Sequence, residues 1–238
     1  MKTVGWAALM LLAGSVFVAS AQEEQYAYSA NAVGVIRKTL PSKKMMMVAL
    51  PLDDASSTNA VVPFANLPFL TTLPNGSSIN IWDVSNSAWV TATKTVGKWR
   101  GAATNESVSA GQSLFIKNGG TSSVLITLVG EVPDDPSITI PLANASQLQG
   151  CANPYPVAFE FAKSALASNA VNGSSVNFWD TDAGTSGEWV TATKTVGKWR
   201  GGAANYEVAP GEGFMMKFGA TTVSGGAWTV SKPYEWPE

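Results

Sequence analysis

The segment Trp89-Val-Thr-Ala-Thr-Lys-Thr-Val-Gly-Lys-Trp-Arg-Gly101 recurs without a change as Trp189 to Gly201. A repeat of this kind obliges the chain to build the same local structure twice, so it bounds the fold before any other feature does. The match continues at an offset of 100, with Asn105 on Asn205, Val108 on Val208, Gly111 on Gly211, Lys117 on Lys217 and Gly119 on Gly219. Upstream, Asn75-Gly-Ser-Ser-Ile-Asn-Ile-Trp-Asp83 meets Asn172-Gly-Ser-Ser-Val-Asn-Phe-Trp-Asp180 at an offset of 97, and Ala49 and Pro51 meet Ala152 and Pro154 at 103. The changes of offset fall in loops, the three-residue one in the turn-rich Asp182-Ala-Gly-Thr-Ser-Gly187.

The copies run from about residue 32 to 133 and from 134 to 231, joined through Val132-Pro-Asp-Asp-Pro136. Two prolines in five residues make that join a short ordered connection and not a flexible linker. Ahead of the repeats, Lys2, the apolar run Val4 to Val18 and Ala19-Ser20-Ala21 have the order of a secretory signal peptide cleaved after Ala21. The expected organisation is therefore a signal peptide over residues 1–21, a first β unit over 22–133 and a second over 134–238. The apolar run is shorter than the about 20 residues of a membrane span, and no second one follows.

The local signals are those of strands. Val124 to Val129 and Ser137 to Ile140 are β-branched runs between turn residues. Ser78 to Trp82 alternates, with Ile79 and Ile81 on one face. Asn75-Gly76 and Asn172-Gly173 accept positive φ and predict tight turns. A stretch from Val157 to Ala167 reads as helix; its counterpart near Ser57 to Leu67 contains Pro63. The expectation is an all-β, mainly antiparallel protein, two tandem related β-sandwich or small-barrel units with at most one or two short helices.

Composition narrows the chemistry. There is no histidine in the 238 residues, which removes Ser-His-Asp and Cys-His machinery and histidine-bearing zinc or copper sites. The single Cys151 permits no disulfide within the chain; it aligns with Val48 and reads as a small buried apolar residue. Charged residues are only 13%, about half of the usual share, and removal of Lys2 takes the net charge from −2 to −3. Without a basic cluster, no nucleic-acid partner is expected. No cofactor and no metal site is expected: Asp53-Asp54 and Asp134-Asp135 lack the spaced acidic pattern of a calcium loop.

The candidate ligand-binding residues are the repeated Trp82, Trp89, Trp99 and Arg100 with their copies Trp179, Trp189, Trp199 and Arg200. Indoles stack on sugar rings, and two copies of a platform give avidity. The competing reading is a hairpin turning at Val96-Gly97, Trp89 packed across from Trp99, Lys94 and Lys98 solvated. Asp83 and Asp180 each follow a tryptophan, but a glycosidase needs two carboxylates in one site, and neither copy supplies the second.

Asn31-Ala-Val-Gly-Val-Ile36 with Leu40-Pro41, Val129-Gly-Glu-Val132, Trp199 and Ala209-Pro-Gly-Glu-Gly-Phe214 resemble uncharacterised secreted tandem β-repeat proteins of environmental bacteria. The resemblance implies a secreted β-rich fold and brings no catalytic residues. The leading expectation is a non-catalytic extracellular or cell-surface structural protein, a subunit of a surface layer, extracellular matrix or filament that associates with itself or other extracellular proteins. The alternative is a bivalent carbohydrate-binding protein with polysaccharide as partner; a glycoside hydrolase is the remote third. The periplasm is a further destination compatible with export.

Overall fold

The structure is a computed structural model that describes residues 32–53, 61–221 and 226–235. Residues 1–21, expected to be a signal peptide, and Asp54 lie outside the described residues. Eighteen strands follow one another among the described residues, and every sheet is antiparallel.

In the first half these are β1 (Val33–Leu40), β2 (Met45–Ala49), β3 (Val61–Pro63), β4 (Ser78–Asp83), β5 (Ala88–Thr95), β6 (Lys98–Arg100), β7 (Ser107–Ser109), β8 (Ser113–Lys117) and β9 (Val124–Glu131). In the second they are β10 (Ser137–Pro141), β11 (Leu148–Ala152), β12 (Phe159–Glu160), β13 (Ser175–Asp180), β14 (Glu188–Thr195), β15 (Lys198–Gly201), β16 (Glu207–Val208), β17 (Gly213–Lys217) and β18 (Ala227–Ser231). The first half builds a five-stranded sheet in the order β2-β8-β4-β5-β6, the second β11-β17-β13-β14-β15. Each half adds two two-stranded sheets, β3-β7 and β1-β9 in the first, β12-β16 and β10-β18 in the second.

The alternation read in the sequence sets which face is inside. Ile79 and Ile81 are buried with Ala92, Leu114, Ile116 and Val48 in one apolar core. The second core holds Val176, Phe178, Ala192, Phe214, Met216 and Cys151. Fully burying one such side chain contributes about 1.5–3 kcal/mol. Cys151 is fully buried, and burial pushes its thiol up to about 12. The ribbon β1-β9 closes its own half's core with Leu40, Ile126 and Leu128, and β10-β18 does so with Ile140 and Trp228.

The halves are tied by reciprocal bonds. Ala49 N–H donates to Gly211 O (3.0 Å), and Ala152 N–H donates to Gly111 O (2.8 Å). Trp82 Nε1 donates to Leu148 O (2.6 Å), and Trp179 Nε1 donates to Met45 O (2.9 Å). These are matched residues of the repeat, so the halves are related by an approximate twofold. Gly213 makes the approach possible, because a Cβ there would lie 2.2 Å from Ser113 Cβ.

The expected helix over 157–167 is corrected. Phe159–Glu160 is strand β12, Phe161–Lys163 is a 3-10 turn, and only α1 (Ala165–Asn169) is α-helical, capped by Ser164 Oγ, which accepts from Ala167 N–H (3.0 Å). Pairing of β12 with β16 takes the start of the stretch, as tertiary context overrides local propensity. Among the described residues, no helix is long and apolar enough to cross a membrane.

Candidate binding face

The β5–β6 and β14–β15 hairpins turn through Val96-Gly97 (φ 49° and 75°) and Val196-Gly197 (50° and 71°). Two successive positive φ values make a type I′ turn, the one whose twist suits a tight hairpin. Valine is an unusual residue there, since a β-branched side chain is strained at positive φ. Both valines are also more than four-fifths exposed. Asn75 Oδ1 accepts from Gly97 N–H, and Asn172 Oδ1 from Gly197 N–H, each at 2.8 Å.

Register sorts the repeated segment into two faces. Trp99 lies opposite Lys94, and Trp199 opposite Lys194, on the core side. The expected packing of Trp89 across from Trp99, with Lys94 in solvent, is thereby corrected. Lys94 Nζ donates to Leu70 O (2.8 Å) and Leu73 O (2.7 Å), and sits 5.9 Å from the Trp99 ring. Lys194 is buried, and its Nζ donates to Ala167 O (2.8 Å) and Ser168 O (2.9 Å). Those carbonyls belong to the end of α1, where the last turn leaves acceptors unmatched. Burial lowers the Lys194 pKa below the ordinary lysine value. Trp99 and Trp199 are half-buried, donating Nε1–H to Leu70 O (3.3 Å) and Ala167 O (3.1 Å) and packing edge-on against Phe64 and Phe161.

The opposite face carries Trp82, Trp89, Asn80, Thr91, Ser78, Thr93, Thr95, Lys98, Arg100 and Lys117, with Phe115 beside Asn80. Trp82 and Trp89 are cross-strand partners with ring centroids 5.1 Å apart, as are Trp179 and Trp189 at 5.0 Å. Thr91 Oγ1 donates to Asn80 Oδ1 (2.8 Å), and Thr191 Oγ1 to Asn177 Oδ1 (2.9 Å). Arg100 stands across from Thr93, and Arg200 from Thr193, both exposed.

The approximate twofold brings the two faces to one ring. Phe115 lies 5.4 Å from Trp89, 5.5 Å from Trp189 and 5.2 Å from Trp179. It is buried with Met47 and Met215 in a small third core. Trp89 (37% exposed) and Trp189 (42%) therefore flank a single phenyl ring and open to solvent. Residues 100 apart share this neighbour without any local signal of it, because nothing local encodes the packing of one half on the other.

The acidic candidates lie at turns. Asp83 accepts from Asn86 N–H (3.0 Å) and Asn86 Nδ2 (2.7 Å), bonds that hold its pKa below the usual carboxylate value. Asp180 Oδ1 accepts from Asp182 N–H (2.9 Å) and Ala183 N–H (3.2 Å). Asp53 exchanges backbone bonds with Glu131, and Asp134 pairs with Lys232 at 2.8 Å. Among the described residues, no group of three or more acidic or cysteine side chains is arranged to hold a metal.

Comparison with known proteins found no matching family, no matching curated protein and no matching solved structure.

Proposed function

We propose that the protein binds polysaccharide, non-catalytically and bivalently, through the two outward sheet faces that meet at Phe115. One observation carries this reading. Between β4 and β13 the outward positions are unchanged (Ser78 and Ser175, Asn80 and Asn177, Trp82 and Trp179), while the inward positions differ, Ile79 against Val176 and Ile81 against Phe178. Two copies held together only by folding would keep the core and let the surface drift. On these two strands both core positions drifted and the outward ones stayed.

The chemistry of the face suits a glycan chain. Trp89 and Trp189 offer apolar rings with open faces to the C–H side of a pyranose. The Asn–Thr pairs and the serines supply hydroxyl-matching donors and acceptors, and Lys98, Arg100, Lys117 and their copies favour a polymer bearing carboxylate or sulfate. Two such faces on one chain multiply weak contacts by about 10²–10⁴ when the polymer spans both.

Retention on immobilised neutral and acidic polysaccharides tests this. Trp89→Ala and Trp189→Ala should each weaken retention, and the double variant should lose about 100-fold through lost avidity. Both residues are rim-exposed, so cooperative thermal unfolding should survive. A double variant retained like the parent removes the reading.

A second reading, self-assembly into a layer or filament, is favoured by the outer face of β1-β9. Val33, Val35, Leu125 and Val129 are each half or more exposed there, with Val35 directly across from Val129. The occupant is a second copy of the ribbon, since among described residues β1 has only β9 as strand partner and an unpaired edge templates pairing. Light scattering over a wide concentration range should show growing particles that Val35→Thr with Leu125→Thr suppresses; a parent that stays monomeric throughout rejects assembly.

A further inference from the structure

The approximate twofold fails around its two tryptophans. At Trp179 the neighbouring space is taken. The longer loop of the second half is held there by Lys44, whose Nζ donates to Gly184 O (2.7 Å) and Ala183 O (3.3 Å), and by Met45 N–H donating to Ser186 O (3.3 Å). Gly187 sits so close that a Cβ would lie 2.5 Å from the Trp179 indole. At Trp82 the matching loop is three residues shorter, and Gln149 and Gly150 stand where the first half has Met46 and Met47. What remains is a cleft of 240 Å³ between the halves, lined by Trp82, Val84, Gln112, Ile140, Gln149 and the Gly111 and Gly150 backbones.

We infer that this cleft binds one neutral sugar ring per chain, an inference that takes its ligand class from the polysaccharide reading. The volume lies below the about 300–1,000 Å³ of drug-sized sites and suits a single ring. No side chain lining it is ionisable. Trp82 and Ile140 provide the apolar wall. The two glutamines provide the polar one: Gln149 Oε1 accepts from Ala143 N–H and its Nε2 donates to Pro141 O, while Gln112 Oε1 accepts from Ser109 N–H. A primary amide has two donors and two acceptor sites, so both retain capacity for hydroxyls. Trp82 also packs on Trp89, which makes the cleft continuous with the exposed face. The exposed faces come in two copies, whereas the cleft comes in one.

The stoichiometry separates the two. The full chain is titrated with glucose, galactose, mannose and N-acetylglucosamine by saturation-transfer NMR and calorimetry. One of the four should bind saturably at one site per chain. Ala110→Trp, which fills the cleft from its half-exposed rim, should weaken that binding tenfold or more; Ser109→Tyr serves the same end should the first variant fail to fold. The Trp189→Ala chain, changed at a ring that packs on Trp179 and does not line the cleft, should still bind the sugar. No saturable binding, two equivalent sites, or binding indifferent to folded filling variants overturns the inference. Polymer retention without sugar binding fells the cleft alone, while sugar binding with polymer retention unaffected by loss of Trp89 and Trp189 fells the face alone.

Discussion

The two halves share strand order and hairpin but fill their interiors differently. The first core is aliphatic around Ile79, Ile81, Leu114 and Ile116; the second is aromatic, with Phe178 stacked on Tyr206 at 4.1 Å and packed against Phe161 and Phe214. Ile81 and Phe178 occupy the same place in the sheet, as do Leu114 and Phe214. One backbone thus accepts two packings, provided the large and small residues change together. What did not change is the hairpin, both its exposed face and the Lys–Trp pair beneath it. The difference teaches that the inward residues of β4 and β8 are replaceable, whereas the hairpin is held on both of its faces.

The comparison breaks first at the half-buried Trp99 and Trp199. Trp99→Ala and Trp199→Ala should each destabilise by about 2–3 kcal/mol, less than the cost of emptying a fully buried aromatic site. The loss should be greater at Trp199, whose ring lies 4.9 Å from Phe161 against 5.7 Å between Trp99 and Phe64. Denaturant melts of the two single variants check the order; equal or reversed losses would mean that the aromatic core adds no grip on its hairpin.

A smaller effect, opposite in sign, should come from the hairpin tips. Val96→Asn and Val196→Asn place a residue that tolerates positive φ at each turn and should stabilise by about 1 kcal/mol apiece. If the tips are kept for contact with polymer, the same variants should lose retention while gaining melting temperature.

The smallest effect at neutral pH should come from Cys151→Val, which installs the first half's residue and should leave the stability within about 0.5 kcal/mol of the parent. Its signature is alkaline. The buried thiol holds its proton up to about 12 against an ordinary 9.0, so its contribution is whole below pH 9 and is lost as pH rises towards 12. The parent should therefore unfold more readily than Cys151→Val through that range, and identical alkaline melts would show that the thiol is not kept neutral by burial.

Much of this was legible in the residues. Asn75-Gly76 and Val96-Gly97 turn where they must, Ile79 and Ile81 face inward, and the runs at Val124 and Ser137 are strands. The all-β class follows from those signals alone. Lys94 and Lys194 were not legible, because a lysine two residues from a turn reads as solvated until the carbonyls of Leu70 or Ala167 are brought to it from more than twenty residues away. Half of the candidate site was hidden for the same reason. Alternation alone separates Trp89 from Trp99 only if the strand partner is known, and the partner of Trp89 proved to be Trp82. The face at Phe115 depends on packing between halves, which no local pattern announces.

Phe115 packs in the small core between the halves with Met215, its counterpart in the second half. Two separate identical subunits meeting about a twofold must present the same side chain from both sides, so a phenyl ring here would face a second phenyl ring where this chain places a methionine. Covalent joining lifts that requirement. One half can supply the wedge and the other the yielding wall, and a ring touched by tryptophans from both becomes an arrangement closed to a symmetric pair of identical subunits.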